Sequence, residues 1–145
     1  MRGIAIVIAA LALAGTAAAK ECKPVSGSFA AEQVACPAPF CTAGALTGDL
    51  RASYAFAMTA AVQEGPVLSF TGASTIVGTF GGAVLYGSDT GWIDFASGTF
   101  ETTVNIVGGT KQYEGASGQL VATGHLTATG GTAGTYAGEL CKHAD

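Results

Sequence analysis

Residues Ile106–Leu120 read IVGGTKQYEGASGQL and contain two small-residue turns between two apolar runs. The first run ends at the double glycine Gly108-Gly109, a short turn carries the aromatic Tyr113, and a second turn leads into the next run. Glycine-rich turns between β-prone runs predict a strand-to-strand connection. Although Gly108–Lys111 superficially looks like a phosphate loop, the G-x4-G-K-[ST] pattern is absent, and we expect no helix after it.

Outward from this segment, apolar residues recur at every second position. Phe100, Val104 and Ile106 alternate with polar residues before it, and Leu120, Ala122 and Leu126 do so after it. Runs 46–62 and 68–79 show the same period. This alternation is typical of strands with one buried and one solvated face.

The turn signals between these runs predict the topology. They separate six strands between Gly44 and Cys141. Val25–Ala31 adds another strand, and the run 46–62 is long enough to form two strands. We therefore predict an all-β, antiparallel up-and-down β-barrel of about eight strands, with a β-sandwich as the alternative. The predicted domain joins an N-terminal segment, 20–43, to a barrel body, 44–145.

The double turn resembles the G-G-[ST]-G-x-[FY]-x-G-[AV]-x-G signature of the allene oxide cyclase and dirigent barrels, and the chain is similar to small exported bacterial members. The matching residues are Gly108, Gly109, Thr110, Tyr113, Gly115, Ala116 and Gly118. Lys111 departs from the signature where the family usually has a third glycine, so we expect a differently shaped turn. The resemblance covers roughly 44–141 and implies an eight-stranded barrel with an apolar cavity, commonly trimeric. It fixes no catalytic residue.

The N-terminus has the features of an export signal. Met1-Arg2 is followed by the apolar run GIAIVIAALALAG and by three alanines, which predicts a signal peptide over 1–19 with cleavage after Ala19. The run is too short for a typical membrane-spanning helix. A lipoprotein site at Cys22 would need small uncharged residues where Lys20 and Glu21 stand. We predict a secreted or periplasmic protein.

Four cysteines remain after this cleavage, which predicts two disulfides among three connectivities. Cys36 and Cys41 flank a short loop with two prolines, and their pairing would leave Cys22 with Cys141. A metal site using His125 or His143 is the rival interpretation. Zinc sites usually have two close ligand pairs, and the sequence has one, so we predict no metal.

Composition argues against several partner classes. The chain has 145 residues, 10 acidic and 6 basic side chains and a net charge of −4, which is unfavourable for binding nucleic acid or anionic membranes. We expect no cofactor and no membrane span. The expected partners are a small apolar ligand and, by the resemblance, further copies in a homotrimer.

Candidate site residues follow from assuming that even-numbered positions face the barrel interior. The aromatic candidates for a ligand-binding lumen are Tyr54, Phe56, Phe70, Tyr86, Trp92 and Phe100. Asp89 is expected to cap a turn, whereas His125 and Glu101 fall on the outer, polar phase. Asp89, Asp94 and Glu101 would serve as acid or base only if desolvated.

Three functions are compatible with these patterns. The first is an exported barrel that binds a small apolar ligand in its lumen. The second is a cofactor-free cyclase or isomerase, which predicts a buried ionisable or hydroxyl group facing a cavity. The third is a non-catalytic exported scaffold that uses its weakly charged outer faces for interaction.

Overall fold

The computed structural model describes residues 19–144, which form a closed barrel of eight antiparallel strands in the order β1 to β8. The strands are β1 (Lys20–Gln33), β2 (Cys41–Gly48), β3 (Ala52–Glu64), β4 (Val67–Gly78), β5 (Val84–Asp94), β6 (Thr99–Gly109), β7 (Ser117–Leu126) and β8 (Thr132–His143). The predicted fold class is confirmed. The 46–62 run does divide into two strands, and β1 closes the barrel by pairing with both β2 and β8.

The two ends of the barrel have different connections. The upper end carries the β1–β2, β3–β4, β5–β6 and β7–β8 connections. The lower end carries the other three connections and both termini of the described chain. Among residues 19–144 no helix has the length and apolar character needed to span a membrane. Apart from Ala19, the predicted signal peptide lies outside the described residues.

The inward-facing phase is not the same in every strand. Even-numbered residues face inward in β4, β6, β7 and β8, and odd-numbered residues do so in β5 and from Val25 onward in β1. The change at β5 comes from the register with β4, where Ser74 lies opposite Gly87. In β3 a bulge between Met58 and Ala60 shifts the register near the upper end. The assumption that even-numbered residues face the interior in every strand is therefore wrong.

The turn motif lies at the lower end and contains a short 3₁₀ helix over Lys111–Tyr113. Lys111 has a φ of +53°, in the left-handed region that favours glycine. This is the position at which the signature usually has its third glycine. Gly109 is required for a different reason, since a Cβ there would lie 2.3 Å from the Val84 carbonyl oxygen. Thr110 Oγ1 accepts a hydrogen bond of 3.0 Å from the Val84 amide.

Both predicted disulfide pairs are present. Cys22–Cys141 joins β1 to β8 near the lower end. Cys36–Cys41 closes the β1–β2 connection at the upper end, next to Phe40. The two bridges thus staple opposite ends of the barrel.

Candidate functional site

A cavity of about 100 Å³ lies in the barrel interior and extends to the upper end, where Phe40, Phe100 and Thr132 line it. Aromatic and aliphatic side chains form most of its wall, and a smaller group of hydroxyl and carboxyl side chains interrupts it. The wall includes Phe29, Phe40, Thr42, Leu46, Tyr54, Phe56, Met58, Phe70, Ser74, Ile76, Asp89, Ile93, Phe100, Thr102, Val104, Leu120, Ala122, Thr132 and Tyr136.

The aromatic part of the wall is built from edge-to-face contacts. The ring centroids of Phe29 and Phe100 are 5.9 Å apart, and those of Phe56 and Phe70 are 5.6 Å apart. Tyr54 packs on Phe29 at 6.4 Å. Such geometries are favourable for aromatic pairs, so the rings support one another around the cavity instead of filling it.

Asp89 is the most unusual side chain of the wall. It lies in the middle of β5, faces the interior and is only 2% exposed. The Ser74 hydroxyl on the neighbouring strand donates a hydrogen bond to Asp89 Oδ2. No donor of the described chain reaches Asp89 Oδ1. The expectation that Asp89 caps a turn is therefore wrong, because the sequence GSDTG at residues 87–91 lies inside strand β5.

Burial dominates the acid–base behaviour of this carboxyl. Removal from water raises the pKa of Asp89 to about 6, although the Ser74 hydrogen bond opposes the increase. The group is thus able to exchange a proton close to neutral pH, as a general acid or base requires. Burial also raises the pKa values of the other titratable side chains of the wall, Tyr54 and Tyr136, which remain neutral phenols.

A glycine provides space beside the carboxyl. At Gly87, which precedes Asp89 on the inward phase, a Cβ would lie 2.5 Å from Val104 Cγ1 and 3.2 Å from Asp89 Oδ1. A larger residue would therefore press on β6 and on the acid.

Four of the six predicted aromatic residues lie together in the cavity wall: Tyr54, Phe56, Phe70 and Phe100. The other two, Tyr86 and Trp92, lie on the outer surface, where they are 44% and 39% exposed. The prediction that they face inward is wrong, because the odd-numbered residues of β5 face the interior. Leu85 and Ile93 are therefore buried there.

The remaining candidates lie outside the cavity. Asp94 accepts a hydrogen bond of 2.9 Å from the Ala96 amide in the β5–β6 turn. Glu101 and His125 lie on the outer phase of β6 and β7. Tyr113 packs partly buried against the core at the lower end, with Lys142 Nζ 5.9 Å from its ring centroid.

Sequence reasoning did not identify Tyr136, and it gave Asp89 an acid–base role only on the condition that it is desolvated. The Tyr136 hydroxyl accepts a hydrogen bond of 3.0 Å from the Leu50 amide and donates one of 2.7 Å to the Thr47 carbonyl. It therefore ties β8 to the β2–β3 turn from inside the barrel. Its inward phase was visible in the sequence, but its partners are distant along the chain.

Comparisons with known proteins agree with this architecture. No protein-family model and no curated protein matches the sequence. Among solved structures, the barrel is similar to the pterocarpan synthase dirigent protein GePTS1, at 18% identity over 87% of each chain and a TM-score of 0.52. The chain has a dirigent-like barrel fold. At this identity the likeness concerns the fold alone.

Proposed function

We propose that this protein binds a small, mainly apolar molecule in the upper half of its barrel. The observation that carries the proposal is the cavity of about 100 Å³, with aromatic walls and one buried carboxyl. An apolar cavity of roughly 150 Å³ holds benzene, so one small ring would require this smaller cavity to expand slightly by rearrangement of its wall side chains. Export through the predicted signal peptide belongs to the same proposal, and the two disulfides are compatible with it.

The first experiment looks for the natural ligand. Native mass spectrometry of protein purified from its own host should show a co-purifying small molecule. The Ala122→Leu variant, which extends a side chain into the cavity, should lose it. Ala137→Leu is the matched control because Ala137 is exposed on the outer face of β8. Equal retention by both variants would place the molecule outside the barrel and contradict the proposal.

Asp89 favours a catalytic variant of this function. A carboxyl with a pKa of about 6, held by Ser74 and facing an apolar cavity, is suited to proton transfer in a cofactor-free cyclisation or isomerisation. Once a ligand is known, Asp89→Asn should abolish turnover and leave the complex detectable by mass spectrometry. Unchanged turnover would exclude Asp89 as the acid or base.

Self-association is a separate part of the proposal. The outward side chains of Val67–Val77 and Val84–Trp92 carry no charge, and Tyr86 and Trp92 are exposed among them. A second copy packed on this face would bury apolar rings without opposing like charges. Native mass spectrometry should show an oligomer that Trp92→Glu dissociates. A monomeric unmodified protein would contradict self-association and leave the cavity proposal intact.

A further inference from the structure

We propose that the cavity selects an apolar amine, with its ammonium group held by Asp89 and its ring among the aromatic side chains. This inference rests on the proposed ligand-binding function and names the chemical class of the ligand. Three independent features of the described residues carry it: the unpaired carboxyl oxygen, the composition of the wall and the distribution of charge between the barrel ends.

The first feature is the bonding of the carboxyl. Asp89 Oδ2 already accepts from Ser74, while Oδ1 has no donor from the described chain. A buried carboxylate is costly unless it is paired and hydrogen-bonded. A ligand ammonium would supply a donor and an opposite charge together, whereas a hydroxyl would supply only a donor. The site therefore favours an amine over an alcohol of the same shape.

The second feature is the wall. None of the described residues that line the cavity is a lysine, arginine or histidine, so no side chain there would neutralise an anionic ligand. The phenyl rings of Phe29, Phe56, Phe70 and Phe100 line the cavity and supply apolar area and aromatic π-systems. Such rings attract cations over short distances and also accept the hydrocarbon part of an amine.

The third feature is the charge at the two ends. All five lysine and arginine side chains among residues 19–144 belong to the lower half: Lys20, Lys23, Arg51, Lys111 and Lys142. The upper half, where the cavity lies, has four acidic side chains on its outer surface and no lysine or arginine in the described chain: Glu32, Glu64, Asp94 and Glu101. The field around the cavity end therefore attracts cations and repels anions.

The test compares three ring-sized probes by calorimetry at pH 7.5: benzylamine, benzyl alcohol and benzoate. We expect benzylamine to bind at least tenfold more tightly than benzyl alcohol, and benzoate to bind most weakly. In Asp89→Asn, the amine should lose this advantage while the alcohol binds as before, which also shows that the variant is folded. Ser74→Ala provides a second variant, in which the preference for the amine should persist.

A matched control separates the buried acid from the outer charges. Asp94→Asn removes one acidic side chain at the upper end and should change benzylamine affinity less than threefold. If benzyl alcohol binds as tightly as benzylamine, the amine inference is overturned and the cavity function stands. If none of the three probes binds, both the inference and the proposed cavity function for ring-sized ligands are overturned.

Discussion

The upper and lower halves of the barrel interior are formed by the same eight strands, yet they are filled in different ways. In the lower half, aliphatic side chains meet and exclude solvent, with Leu85 1% exposed and Ile106 5% exposed. In the upper half, aromatic rings surround a cavity that contains hydroxyl groups and Asp89. The lower half is therefore a packed core, and the upper half has the composition of a binding site.

The difference shows how one repeated architecture serves two purposes. Inward positions of an antiparallel barrel are fixed by pairing, so the strands determine where side chains point but not whether they fill the space. Branched aliphatic residues close the lower half. Inward glycines such as Gly72 and Gly91 leave room for Phe56 and Phe70 in the upper half, since a Cβ at either glycine would lie less than 3.0 Å from one of these rings.

The largest expected difference between the two ends concerns their disulfides. Cys22–Cys141 spans a sequence separation of 119 and Cys36–Cys41 one of 5. Chain entropy gives roughly 5 kcal/mol of stabilisation for the first bridge and roughly 2 kcal/mol for the second. Urea unfolding of the two double serine variants should show this order, and equal losses would contradict it.

The second prediction concerns the pH dependence of stability. The pKa of Asp89 rises from an ordinary 3.8 to about 6 in the fold, so the folded protein binds more protons than the unfolded chain between these values. The contribution of Asp89 to the free energy of unfolding is therefore fully present below pH 3.8. It should decrease by about 3 kcal/mol as the pH rises through about 6. Tyr54 and Tyr136, the other titratable groups of the wall, stay neutral in this range.

The pH dependence of the unmodified protein is compared with that of Asp89→Asn, which has no carboxyl group at this position. The unfolding free energy of the unmodified protein, relative to that of the variant, should fall between pH 3.5 and pH 7.5. Ser88→Ala changes an exposed outer position of β5 that carries no ionisable group, and it should leave the pH profile unchanged. A parallel pH profile for Asp89→Asn would show that Asp89 is solvated.

The architecture was predictable because its signals are local. Alternation at every second residue and glycine-rich turns are read within about ten residues, and they predicted the strands and the barrel. The disulfide pairs were predicted from the close spacing of Cys36 and Cys41, which left Cys22 with Cys141. The position of Asp89 was not predicted, since it depends on the register between β4 and β5. The signal was present, however: Leu85 and Ile93 are aliphatic residues in phase with Asp89, whereas Tyr86 and Trp92 tolerate an exposed position.

A third prediction tests the packing difference directly with one substitution in each half. Ala52→Leu enlarges a side chain that is 6% exposed in the lower half and should destabilise the protein by about 1–3 kcal/mol through overpacking. Ala122→Leu extends into the cavity and should change stability by less than about 1 kcal/mol, because space is present there. Thermal unfolding measures both, and an equal cost would mean that the upper half is packed as tightly as the lower.

The smallest expected effect concerns the turn that closes the lower half. A non-glycine residue in the left-handed region costs roughly 1 kcal/mol, and Lys111 has a φ of +53°. The Lys111 ammonium donates a hydrogen bond to the Gly81 carbonyl, which offsets part of this cost. Lys111→Gly relieves this cost, but it also loses the hydrogen bond and adds freedom to the unfolded chain, so it should change stability by less than about 0.5 kcal/mol.

Lys111→Ala separates the two contributions, because it removes the hydrogen bond and keeps the strained backbone. We expect Lys111→Ala to be less stable in urea unfolding than both the unmodified protein and Lys111→Gly. If both variants lose stability equally, relief of the backbone strain does not exceed the added freedom of glycine in the unfolded chain. The lysine would then be a stabilising replacement for the glycine of the signature, and the lower end would be held by its loops as well as by its packed core.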